Sequence, residues 1–155
     1  MEGRNMAINI IRKHRLWEVF LVEKLNFSWD EVHDIAEDLE HIESPELVNR
    51  LEEFLDHPKF DPHGDPIPDR EGNIFRREQK PLSEMVAGNT GIVTGVKDSS
   101  KSFLQYLDTL GIQLGDELKV IEVFEYDNSR IIEFDNQKLT LSQQASKNLF
   151  VTTEH

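Results

Sequence analysis

The chain contains no cysteine, so neither a disulfide nor a thiolate metal site is available to its 155 residues. It has no apolar run near the ~18 residues that a membrane span requires. Its first residues, Met1-Glu2-Gly3-Arg4-Asn5, do not have the pattern of a signal peptide. Basic residues are scarce beside acidic ones: 17 Lys and Arg stand against 30 Asp and Glu, a formal net charge of −13. That balance argues against nucleic acid being held by this chain alone, because phosphate binding needs a basic surface. The expected setting is cytoplasmic, with no membrane partner. The remaining composition, 37% hydrophobic and 30% charged, fits a globular protein with a heavily charged surface, long enough for one domain or two small ones.

What the chain does have is a concentration of imidazole and carboxylate in one short stretch, His33-Asp34-Ile35-Ala36-Glu37-Asp38-Leu39-Glu40-His41. As a helix, it places His33, Glu37, Glu40 and His41 at i, i+4, i+7 and i+8, within an arc of roughly 100°. Val32, Ile35, Ala36 and Leu39 fall on the neighbouring arc and form a face for a core. Two imidazoles and two carboxylates along one face are a ligand set that Mn(II), Fe(II) or Zn(II) accepts.

Before this stretch, apolar spacing predicts a helix over residues 5–25, with Met6, Ile10, Ile11, Trp17, Phe20, Leu21 and Leu25 as its stripe. Within it His14 and Glu18 lie one turn apart; by themselves, amid Arg12, Lys13 and Arg15, they read as a surface pair. Ser28-Trp29-Asp30-Glu31 has the form of a capping box and predicts a second helix over 29–42. Ser44 as N-cap and Pro45 at the first helical position start a third, to about 56, with Leu47, Val48, Leu51, Phe54 and Leu55 on its apolar side. Three short amphipathic helices bury one another poorly, which points to a partner, most simply a second copy.

Pro58, Pro62, Pro66 and Pro68 then exclude a helix, and residues 69–80 are mostly charged. Residues 58–80 are expected to be a Pro-rich and charged linker, mobile over 69–80, with His57 and His63 as loop residues rather than ligands. Beyond them, β-branched and alternating runs predict strands over 91–96, 117–123, 129–134 and 138–141, with a closing strand at 150–152. A helix over 101–110 ends at Gly111, and a single turn is expected within 143–148. The fold class is α+β: an all-α domain over 1–57, the linker, and a small SH3-like barrel over 81–153. Such a barrel by itself assigns no chemistry.

Arg12-Lys13-His14-Arg15-Leu16-Trp17-Glu18-Val19-Phe20-Leu21, Glu31-Val32-His33-Asp34, Glu37-Asp38-Leu39-Glu40-His41, Ser44-Pro45-Glu46 and Asp61-Pro62-His63-Gly64-Asp65-Pro66-Ile67-Pro68 follow one another in an order and spacing that resemble the diphtheria-toxin-repressor family. These are dimeric, metal-activated bacterial transcriptional repressors with iron- and manganese-dependent branches. Residues 81–153 resemble their C-terminal SH3-like, FeoA-type domain. The resemblance implies a homodimer that senses Mn(II) or Fe(II), with Zn(II) as an in vitro substitute. It implies that His14, Glu18 and His33 form the family's ancillary metal site. Glu37, Glu40 and His41 then match the site that switches DNA binding, and Asp98 is the candidate ligand from the SH3-like part. Iron-responsive relatives carry Cys at the place of Glu37 and manganese sensors an acid; the harder carboxylate favours Mn(II). Family members begin with a winged helix-turn-helix, and no segment here has that character. The expectation is therefore a metal-sensing and dimerisation portion that meets operator DNA only through a module lying outside it.

The resemblance implies neither catalysis nor a small-molecule substrate. A carboxylate-bridged dimetal enzyme would pair Glu-x-x-His turns on two helices with two further Glu. The spacing Glu37-x-x-Glu40-His41 beside His14-x-x-x-Glu18 fits that pattern poorly. A metal-free oligomerisation module with an SH3-like adaptor is the other alternative; it predicts the same dimer with and without chelator.

Overall fold

The computed structural model describes residues 2–153, with side chains from Met6 onward, and divides into two units at residues 76 and 77. Each is described by itself.

In the first unit, α1 (Glu2–Glu23) is followed by α2 (Val32–Leu39) and α3 (Pro45–Phe54). Leu16, Val32 and Ala36 are fully buried, and Trp17, Val19, Leu21, Val48, Leu51, Leu55 and Ile67 close the core around them. The core thus uses the second half of α1. Met6, Ile10 and Leu25, expected on the apolar stripe, are exposed, because α2 and α3 pack beside residues 16–21. Phe20 bridges Trp17 and Phe54, with ring centroids 5.7 and 6.3 Å away.

The start of α3 follows its local code. Ser44 Oγ accepts from the Leu47 N–H at 3.2 Å, and Pro45 costs no hydrogen bond in the first turn. The start of α2 does not. The capping box at Ser28 fails to form: the Ser28 hydroxyl donates to Asp30, Glu31 N–H bonds the Ser28 carbonyl, and this turn delays the helix to Val32.

Residues 58–80, expected to be a linker throughout, begin as an ordered loop. Asp61, His63 and Ile67 are buried, Phe60 pairs with Pro66 as an isolated β-bridge, and Ile67 N–H donates to the Lys59 carbonyl at 2.8 Å. Arg15 of α1 donates to the Pro66 carbonyl. Prolines forbid a helix here but not burial, because the loop satisfies its polar groups locally and on α1.

The second unit is a six-stranded antiparallel sheet. Its strands are β1 (Lys80–Pro81), β2 (Thr90–Val96), β3 (Glu117–Val123), β4 (Arg130–Phe134), β5 (Gln137–Leu141) and β6 (Leu149–Thr152), in the order β1-β6-β2-β3-β4-β5. The outer strands β1 and β5 do not pair with each other among the described residues, so the SH3-like fold is an open sheet. Register shifts at Val93/Gly95 and Val120/Glu122 bend it. The helix α4 (Lys101–Leu110) starts at Ser100, whose Oγ accepts from Phe103 N–H, and ends at Gly111 with φ +81°. The short α5 (Gln143–Lys147) precedes β6. Leu104, Leu107, Ile112, Leu118, Ile132 and Val151 are buried in this unit's core. Among the described residues, no helix is long and apolar enough to cross a membrane.

Candidate metal centre

The 3.6-residue repeat of α1 sets His14 and Glu18 one turn apart on a single face, and α2 brings His33 against them. His14 Nε2 lies 3.6 Å from Glu18 Oε2. The His14 and His33 rings meet edge to face, centroids 5.0 Å apart. One ligand atom from each of His14, Glu18 and His33 falls within 4.8 Å of the others. The floor of this group is closed, with Glu18 2% exposed, while the His33 side chain is 70% exposed. A divalent cation bonded at about 2.1 Å spaces its donors roughly 3.0–3.4 Å apart, so His14, Glu18 and His33 would close in around one, the exposed His33 moving most. Mixed imidazole and carboxylate donors suit Mn(II), Fe(II) and Zn(II) alike.

The second expected group is not drawn into one cluster. Glu37 turns to His33, with Oε2 4.0 Å from Nε2, and these two also lie close to Asp34, all three exposed. Glu40 turns to α1 instead: its Oε2 is 3.0 Å from His14 Nδ1. His41 is exposed and lines a shallow cleft with Glu40, Glu43, Met6, Asn9, Ile10 and Lys13. The reason lies at the helix end. The Glu40 N–H still bonds the Ala36 carbonyl, so its side chain keeps the helical face toward α1, and His41 falls in the following turn. Asp98 belongs to the second unit, where its Oδ1 accepts from Ser100 N–H at 2.9 Å in the turn before α4.

Two residues that sequence reasoning set aside complete the surroundings of Glu18. His63 Nδ1 lies 3.5 Å from Glu18 Oε2 and 4.0 Å from Asp61 Oδ2. Asp61 Oδ1 accepts from the N–H groups of His63 and Asp65, each at 2.9 Å. The signal was present in Asp61-Pro62-His63-Gly64: an Asp able to bond the backbone two residues on, with Gly64 at φ +89°. Such a turn is usually exposed; this one is buried.

The electrostatics follow from this crowding. The hydrogen bond that the His14 imidazole donates to Glu18, helped by the charges of Glu18 and Glu40, raises the His14 pKa despite opposing burial. Burial pushes Glu18 up, but His14 and His63 outweigh it and leave Glu18 below the usual range. Asp61 is pushed up to about 8, by burial first and then by the charges of Asp65 and Glu18.

Comparison with known proteins places these features. The pattern described as "Iron dependent repressor, metal binding and dimerisation domain" matches residues 1–69, and the FeoA domain pattern matches residues 80–153. A solved structure described as "Manganese-dependent transcriptional repressor complex with manganese" is 36% identical, with a TM-score of 0.89, covering 97% of this chain and 72% of that one. The diphtheria toxin repressor of Corynebacterium glutamicum is 32% identical over 130 residues, 77% of this chain and 57% of its own length. A probable metal transport system membrane protein of Chlamydia trachomatis is 44% identical over 69 residues, 44% of this chain and 15% of its own. The chain thus spans little more than half the length of the repressor and a small part of the transport protein.

Proposed function

The chain belongs to the diphtheria-toxin-repressor family, whose solved members include metal-dependent transcriptional repressors, and we propose that it is the metal-sensing and dimerisation portion of such a repressor. The observation that carries this reading is the convergence of His14 and Glu18 from α1 with His33 from α2, three ligand atoms within 4.8 Å. His14, Glu18 and His33 would hold one divalent cation. Glu37, Glu40 and His41 would contribute to a second, which their present separation leaves dependent on further donors. Asp98 remains a proposed ligand from the FeoA part.

When bound, the cation supplies positive charge and a cross-link between the two helices. The protein's own residues define what is cross-linked. Glu18 sits rigidly in the core, His14 is fixed between Glu18 and Glu40, and the exposed His33 is the arm that adjusts. A helix arrangement that keeps these side chains converged is favoured in proportion to its better affinity, and an operator-binding state sharing that arrangement is favoured with it. Operator DNA would be read by a winged helix, which is not among the described elements. The acidic charge of −13 leaves that task elsewhere. Met6, Ile10, Leu25 and Phe54 expose apolar surface on the helical unit, and a second copy is the proposed cover. The carboxylate of Glu37, in place of a thiolate, favours Mn(II) over later, softer metals; Mn(II) or Fe(II) is the proposed metal, with Zn(II) able to occupy the site in vitro. The proposed setting is the cytoplasm, and the role regulatory rather than catalytic.

The test is Mn(II) binding by calorimetry, with sedimentation in Mn(II) and in EDTA. Wild type should bind Mn(II) as a dimer without turnover, and His33→Ala with His41→Ala should lose affinity at least tenfold. Unchanged binding in that double variant would sink the sensor reading.

A further inference from the structure

Glu18 faces two ways. Its Oε2 lies 3.6 Å from His14 Nε2 on one side and 3.5 Å from His63 Nδ1 on the other. Behind it, Glu18, Asp61 and His63 form a group with exposures of 2, 4 and 5%, and their ligand atoms also fall within 4.8 Å of one another.

The orientation of His63 is fixed from outside the group. Its Nε2 is 2.7 Å from the Trp29 carbonyl and its ring stacks on Trp29, 12° from parallel. A carbonyl only accepts, so Nε2 carries the proton, and in the neutral ring the Nδ1 lone pair faces the two carboxylates. Imidazole locked by a backbone carbonyl on one nitrogen and open on the other is how proteins hold a metal-ligating histidine. Asp61 is fixed the same way: Oδ1 is taken by two backbone N–H groups, which leaves Oδ2 to the group. Two carboxyl groups side by side in the interior are costly unless a proton or a cation stands between them; without metal Asp61 keeps the proton, and a divalent cation would displace it. The ion pairs of Glu18 and Asp61 among the described residues run only to imidazoles, never to Lys or Arg.

We propose that Glu18, Asp61 and His63 form a buried divalent-cation site of two carboxylates and one imidazole, joined to the His14/His33 group through a bridging Glu18 carboxylate. Ligand atoms around a cation at about 2.1 Å are roughly 3.0–3.4 Å apart. From the observed 3.5 Å the His63–Glu18 pair is already near that spacing, and the His63–Asp61 pair at 4.0 Å must close by roughly 0.6–1.0 Å. The donor set, oxygen-rich with one nitrogen and no sulfur, takes Mn(II), Fe(II) or Zn(II). The site goes beyond the sensor reading and uses only Glu18 from it.

The test is anomalous diffraction from crystals of the full chain soaked in saturating Mn(II), paired with Mn(II) stoichiometry from the EPR signal of free metal. A manganese peak bonded to His63 Nδ1, Asp61 and Glu18 is expected, with one equivalent fewer per chain in His63→Gln. His33→Ala should empty the outer position and leave the inner peak. Absence of anomalous density at bonding distance from His63 Nδ1 overturns the proposal, and it does so on wild type even where His63→Gln fails to fold. An inner peak without an outer one would keep this site and overturn the sensor assignment of His14 and His33.

Discussion

Glu40 Oε2 lies 3.0 Å from His14 Nδ1, while His14 Nε2 faces Glu18 Oε2 at 3.6 Å. One imidazole therefore ties the C-terminal end of α2 to the buried carboxylate of α1. By spacing alone Glu40 groups with Glu37 and His41; packing of α2 against α1 assigns it to His14. The two expected metal positions are thereby connected through His14 rather than independent.

Glu40→Gln removes one of the charges that raise the His14 pKa. The His14 titration, followed by nitrogen-15 NMR without metal, should move down, and Mn(II) affinity should fall about 10–100-fold, as for other residues that orient a ligand. An unmoved His14 titration would show that the two residues are not coupled.

Asp61 binds a proton in the folded state up to about pH 8, whereas its unfolded value is 3.8. Between those values the folded state holds more protons than the unfolded one, so metal-free stability falls as pH rises, by up to about 1.4 kcal/mol per unit. The raised His14 acts in the same direction: its contribution is full below 6.5 and is lost as pH passes its folded value. The lowered Glu18 acts oppositely: its contribution is present above its unfolded value of 4.5 and is lost as pH falls through its folded value. Urea unfolding of the metal-free chain from pH 5 to 8 should show the decline, and Asp61→Asn should flatten it.

Glu37→Cys replaces a hard oxygen donor with a soft sulfur. The ratio of Mn(II) to Zn(II) affinity should drop at least tenfold, measured by competition against a chelator. A constant ratio would remove the selectivity argument built on Glu37.

Arg130 is 3% exposed and donates to the carbonyls of Leu82 and Met85 at 2.9 Å and of Ser83 at 3.2 Å. Arg130→Leu strands those carbonyls and should cost about 2–4 kcal/mol in the second unit. Mn(II) stoichiometry should not change. A loss below 0.5 kcal/mol in urea unfolding would contradict this role.

The elements themselves were legible because their causes are local. Ser44-Pro45-Glu46, Ser100 and Gly111 set helix ends through hydrogen bonds and backbone angles within one turn. Alternation marked β2 to β6 in the same way. Ser28 shows the limit: its side chain had two partners in reach, and Asp30 prevailed over the helix N-terminus. The two-residue β1 and the register shifts in β2 and β3 carry no periodicity and were not legible.

Amino-acid order already fixes which imidazole neighbours which carboxylate on a helix, since helical repeat alone puts His14 beside Glu18 and His33 beside Glu37. Tertiary structure decided which of these faces meet. Burial of Leu16 against Val32 and Ala36 sets α2 on α1 so that His33 and Glu40 both reach His14. Burial of the loop around Ile67 carries Asp61 and His63, more than forty positions along the chain, to the far side of Glu18. Periodicity encodes where a side chain points on its own element; which partner it finds depends on how distant apolar residues pack, and that information is spread over the whole core.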